Sequence, residues 1–141
     1  YQVTDETGTA EFITIVPGWY SGRAVHIHFK IRTDPESESG YEFTSQFFFD
    51  PDLIARLYAE EPYADKGLPD THNSEDSIYQ GSDGQLTLEL VPLTADELDE
   101  LGLDVGYSAT FDIGLDLDDA AVGADDSAGG GMGGGRPGGR P

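Results

Sequence analysis

Between Ala24 and Arg32 apolar and polar residues alternate without a break. Val25, Ile27, Phe29 and Ile31 fall on one side, and His26, His28, Lys30 and Arg32 on the other. Only a strand with one face buried has this period of two. Tyr41 to Asp50 alternates in the same way, with Tyr41, Phe43, Phe47 and Phe49 opposite Glu42, Thr44 and Gln46. Four further stretches read as strands. Ala10 to Val16 is β-branched and aromatic and is closed by Pro17-Gly18. Ile78-Tyr79 and Leu86 to Val91 flank Ser82-Asp83-Gly84, a hairpin signal. Tyr107, Ala109, Phe111 and Ile113 alternate at the end.

Helix signals are fewer. Pro51-Asp52 opens a short helix to about Ala59, with proline in the first turn, where a missing N–H costs nothing. Thr94-Ala95-Asp96-Glu97 is a capping box for a helix of one or two turns that Gly102 stops. Asp34 to Gly40 and Glu61 to Ser77 read as loops. These signals predict one all-β domain over residues 1–113, a β-sandwich with two short helices. Residues 114–141 are acidic and then rich in Gly, Arg and Pro. Such a tail buries too little apolar surface to offset its ordering entropy and is expected to be disordered. Its acidic run, Asp116 to Asp126, lacks the spacing of a calcium loop.

Charge narrows the partners. The 141 residues carry 28 acidic and 7 basic side chains, a formal net charge of −21. Nucleic acid and anionic membranes recruit Lys and Arg, so neither is an expected partner. Short carboxylates with almost no lysine suit concentrated salt, where the Debye length falls to about 3 Å at 1 M. The chain has no cysteine, which excludes disulfides, thiolate metal sites and thiol nucleophiles. No apolar run approaches the ~18 residues of a membrane span. The chain begins at Tyr1 without an initiator Met, and an upstream segment is expected.

The chemistry concentrates in Pro17 to Phe29. His26 and His28, two apart on a strand, point the same way with roots about 7 Å apart, so both rings can meet one ion. Tyr20 precedes them after a Pro-Gly turn that can aim it at the same place. A His-x-His pair alone is most often a solvated strand face. Against that reading, Arg23, Lys30 and Arg32 bring three of the seven basic residues into ten positions. Gln46 lies on the polar face of the other clean strand. The tyrosine selects the metal. Ionising a phenol of pKa near 10 at pH 7 costs about 4 kcal/mol. Zinc draws on Cys, His and carboxylates, whereas a hard trivalent ion offsets that cost. Tyrosinate with two imidazoles therefore points to Fe(3+).

Tyr20, Arg23, His26, Ile27 and His28, following Pro17-Gly18, resemble the iron-binding core of intradiol ring-cleavage dioxygenases, the catechol and protocatechuate dioxygenase family. The resemblance extends through Thr4-Asp5 to Gly8, Thr44 to Phe49, Pro62-Tyr63-Ala64 and Asp70 to Tyr79. It is nearest to the short, single-domain, often exported branch of the family. It implies a prealbumin-like β-sandwich and a non-haem ferric dioxygenase. That enzyme would cleave a catechol between its two hydroxylated carbons to a muconate-type diacid. Tyr20, His26 and His28 match metal ligands, Tyr20 being the tyrosinate that the arriving catechol displaces. Arg23 matches a cation that stabilises charge on the bound catecholate, and Gln46 an amide beside it. The family's second tyrosinate would fall upstream of Tyr1, so this chain is expected to hold three of four protein ligands. Implied partners are a catechol-type small molecule and dioxygen, with a homo-oligomer left open. The runner-up is a non-catalytic module on the same sandwich that binds a ligand or partner. His72, in a polar loop, reads as a surface residue. Trp19 reads equally as pocket lining or as packing on a strand end, and Tyr63 and Tyr79 are candidates for the rim.

Overall fold

The structure is a computed structural model that describes residues 1–34 and 40–118. The two clean alternating stretches pair with each other. Strand β1 (His26–Arg32) runs antiparallel to β2 (Glu42–Phe49), with His26 opposite Phe48, His28 opposite Gln46, Lys30 opposite Thr44 and Arg32 opposite Glu42. A short β3 (Thr87–Leu88) joins the far side of β2 in parallel, giving the order β1-β2-β3. A second, two-stranded sheet pairs β4 (Val91–Pro92) with β5 (Tyr107–Ser108).

Three α-helices accompany the strands. The first, α1 (Pro51–Leu57), begins where Asp50 accepts the Leu53 N–H at 2.9 Å. The second, α2 (Ser77–Gly81), is capped by Asp76, whose carboxylate accepts from the N–H groups of Ile78 and Tyr79. The third, α3 (Ala95–Leu101), has the capping box written in its sequence: Thr94 accepts from the Glu97 N–H, and Glu97 accepts from the Thr94 N–H. Gly102 closes it in the left-handed conformation, φ 66°, that a residue without Cβ reaches at no steric cost.

The core lies between the first sheet and α1. Val25, Phe49, Ile54 and Tyr58 are buried together, and Val16, Trp19, Ile27 and Tyr63 pack on them. Val25 and Ile27 therefore face the helix, which sends His26 and His28 to the opposite face.

The expected all-β sandwich is not what forms. Among the described residues the architecture is mixed α/β, with five strands in two small sheets and three helices. A sandwich needs a second sheet broad enough to cover the first. Here that sheet has two residues per strand, and Val91 is exposed. Three readings fail in particular. Residues 10–16 pair with nothing as a strand, and Phe12, Ile13 and Ile15 stay exposed. Ile78-Tyr79 is helical, because the Asp76 cap satisfies two backbone donors locally that a hairpin would have to pair across strands. Tyr107 to Ile113 ladders only through Tyr107–Ser108; Phe111 instead sets its ring against Phe47 at 4.8 Å. The expected disordered tail lies outside the described residues from position 119, as does most of the Asp34–Gly40 loop.

Candidate metal centre

The strand pleat brings the two imidazoles together. His26 Nε2 and His28 Nε2 are 3.0 Å apart. Tyr20 arrives from the preceding turn, and its phenol oxygen lies 3.3 Å from the same His26 Nε2. That turn is held to the rest of the chain at several points. Tyr58 donates to the Pro17 carbonyl at 2.6 Å and Tyr63 to the Val16 carbonyl at 2.7 Å. Trp19 Nε1 donates to the Gly67 carbonyl at 2.8 Å, and the Lys66 ammonium donates to the Trp19 carbonyl and sits over its ring. The Gly22 N–H donates to Asp70 at 3.3 Å, with Gly22 at φ 88°, a conformation that favours glycine.

The tautomer of His26 follows from its other nitrogen. Nδ1 is 2.6 Å from the Ala24 carbonyl, which can only accept, so Nδ1 carries the hydrogen. Nε2 then offers one in-plane lone pair, with the Tyr20 oxygen at 3.3 Å and His28 Nε2 at 3.0 Å from it. This arrangement fits a cation. An imidazole whose other nitrogen bonds a carbonyl is oriented as metal-ligating histidines are. Two imidazole nitrogens 3.0 Å apart are near enough for both to be ligands of one ion. Burial holds His26 below its ordinary 6.5, and the nearby charges of Arg23 and His28 add to this, against the Ala24 carbonyl and Asp76. The neutral ring is the ligating form. His26 is buried, whereas Tyr20 is 49% exposed and His28 is exposed, so the cluster opens to solvent on one side. Among the described residues no group of three or more His, Asp or Glu side chains is placed to hold a metal; the oxygen beside the two imidazoles is that of the Tyr20 phenol.

Arg23 and Gln46 also meet. Arg23 Nη2 donates to Gln46 Oε1 at 2.5 Å, and Gln46 lies beside His28 across the strand pair. Sequence reasoning missed the third member, Asp76. Its Oδ2 accepts from Arg23 Nε at 2.7 Å and from the Ala24 N–H at 3.1 Å. Burial works to raise the Asp76 carboxyl, but the hydrogen bonds from Arg23, Tyr79 and Ala24 outweigh it and hold it below the usual 3.8. The signal was partial: an arginine next to a strand calls for a counter-ion, and Asp76-Ser77 has the residue types of a helix start. Nothing in the sequence says that these two needs are met by one carboxylate 53 positions away.

Lys30 and Arg32 continue the histidine face, both paired to Glu42, at 2.8 and 2.5 Å. Trp19 packs on the core rather than standing free, and Tyr63 sets its ring at a tilt against Tyr58, centroids 5.0 Å apart. Tyr79 sets its ring edge-on to Phe48, which in turn underlies His26. His72 is exposed. The concavity lined by Val25, Ile54, Leu68 and His72 opens on the other side of β1 and does not reach the cluster. No family model, curated protein or solved structure matches the chain.

Proposed function

We propose that the chain holds a ferric ion through Tyr20, His26 and His28 and is an intradiol-type dioxygenase. The reaction inserts both atoms of dioxygen into a catechol-type substrate, breaks the bond between its two hydroxylated carbons and releases a muconate-type diacid. The observation that carries the reading is that the Tyr20 hydroxyl and His28 Nε2 lie 3.3 and 3.0 Å from His26 Nε2, the ring nitrogen that the Ala24 carbonyl leaves unprotonated. The reading rests on the site and not on the fold, because the mixed α/β architecture is not the sandwich that the resemblance implied.

When bound, ferric iron supplies Lewis acidity and a template for the two substrate oxygens. The rest falls to the chain. Ala24 keeps the Nδ1–H tautomer of His26, so that Nε2 stays a ligand. As the tyrosinate, Tyr20 Oη, at the open side of the cluster, would accept a proton from a catechol hydroxyl and return to the phenol. Arg23 supplies a fixed positive charge that favours the catecholate, and Asp76 and Gln46 hold its Nε and Nη2 in place. Phe48, fully buried beneath His26, keeps water from that side.

Oxygen uptake by the iron-loaded full chain tests this. Uptake with catechol, matched by appearance of a diacid, is expected in the wild type and absent in His26→Ala. Uptake that survives His26→Ala overturns the assignment.

A further inference from the structure

Asp76 is a fully buried side chain that the reaction does not consume, and it is engaged on both oxygens. Oδ1 accepts from the N–H groups of Ile78 and Tyr79, at 3.0 and 3.2 Å, and so starts α2. Oδ2 accepts from Arg23 Nε and from the Ala24 N–H. The second pair matters for the cluster. Arg23 is the cation three residues before His26. Ala24 is the residue whose carbonyl fixes the His26 ring. Ala24 is 2% exposed, so no solvent can replace either of its backbone partners. The carboxylate, the Ala24 peptide groups and His26 Nδ1 form one line, and the same oxygen that opens this line also seats the guanidinium.

We infer that Asp76 is a positioning residue of the metal centre: through Ala24 it sets the tautomer and aim of His26, and through Nε it aims Arg23. Its action on iron rests on the proposed function above, whereas its action on His26 does not. An amide in its place has one acceptor oxygen instead of two. Asparagine is a good helix cap, so Asp76→Asn can keep the start of α2 while its NH2 faces the N–H donors of Arg23 and Ala24.

The test is a long-range proton–nitrogen spectrum of the histidine rings in the metal-free, ¹⁵N-labelled full chain. The wild type is expected to show His26 as the Nδ1–H tautomer alone, and Asp76→Asn to show a tautomer mixture. Ferric affinity of the variant is expected to fall about 10–100-fold, as loss of a ligand's supporting partner does. A folded Asp76→Asn chain with wild-type His26 shifts and wild-type iron affinity overturns the inference. If that variant does not fold, Asp76→Ser, which also caps a helix, carries the same comparison, and loss of fold in both makes Asp76 structural and overturns a positioning role. A wild-type chain that takes up no ferric ion sinks the proposed function, while the tautomer comparison still decides whether Asp76 acts on His26.

Discussion

Ala24 has no side-chain chemistry, yet its N–H binds the Asp76 carboxylate and its carbonyl binds His26. Residues of this kind explain why only part of the site is legible in the sequence. His26, His28 and Gln46 are legible because a strand's period of two sorts faces without tertiary knowledge, and Tyr20 because it follows the Pro-Gly turn just before them. Asp76 and Ala24 do not, because their roles depend on which distant backbone group they meet. The acid limb of stability is decided at this scale. The Asp76 carboxyl lies below its ordinary 3.8. Between its native value and 3.8 the unfolded chain binds more protons, so this contribution is complete above about pH 4 and is lost as pH falls through the native value. Asp76→Asn is expected to be less stable at pH 7 and to lose less stability on acidification, measured by urea unfolding from pH 7 to 3. A variant whose acid limb matches the wild type would show that Asp76 carries none of it.

At the scale of elements, the two long strands and α3 were readable, and the hairpin and the sandwich were not. β1 and β2 carry their pairing in their patterns, since a slip of one residue would bury His28 and expose Val25. The stretch 10–16 has strand-forming residues and no ladder, because propensity cannot supply a partner. Local capping won at Asp76 over an equally local turn signal at Ser82-Asp83-Gly84; the turn exists, with Asp83 at φ 52° and Gly84 at φ 76°, but it follows a helix. One connection matters more than its size. Tyr58, at the end of α1, is 2% exposed and hydrogen-bonds the Pro17 carbonyl, so α1 anchors the turn that carries Tyr20. Tyr58→Phe is expected to cost about 1–2 kcal/mol in urea unfolding, by leaving that carbonyl without its partner. It is also expected to weaken ferric binding without touching a ligand. A loss of stability with unchanged ferric affinity would show that the anchor does not govern Tyr20.

For the molecule as a whole, charge dominates. A net charge of −21 on 141 residues sets the carboxylates against one another in dilute buffer. At 1 M salt the screening length drops from about 10 Å to about 3 Å. The melting temperature is therefore expected to rise by several degrees between 0.1 and 2 M KCl, and a flat or falling curve would contradict this. The same screening acts on binding. The paired cluster of Lys30, Arg32 and Glu42 lies on the histidine face, so added salt should lower KM for an anionic catechol by removing the global repulsion. Among the described residues no helix is long and apolar enough to cross a membrane.

The most direct measurement of the central claim is a ferric titration of the full chain followed by visible absorption. The account predicts one ion per chain and a tyrosinate-to-iron charge-transfer band that moves when catechol is added, disappears in Tyr20→Phe and fails to form in His26→Ala. A chain that stays colourless with ferric iron, or a band that persists unchanged in Tyr20→Phe, would contradict it.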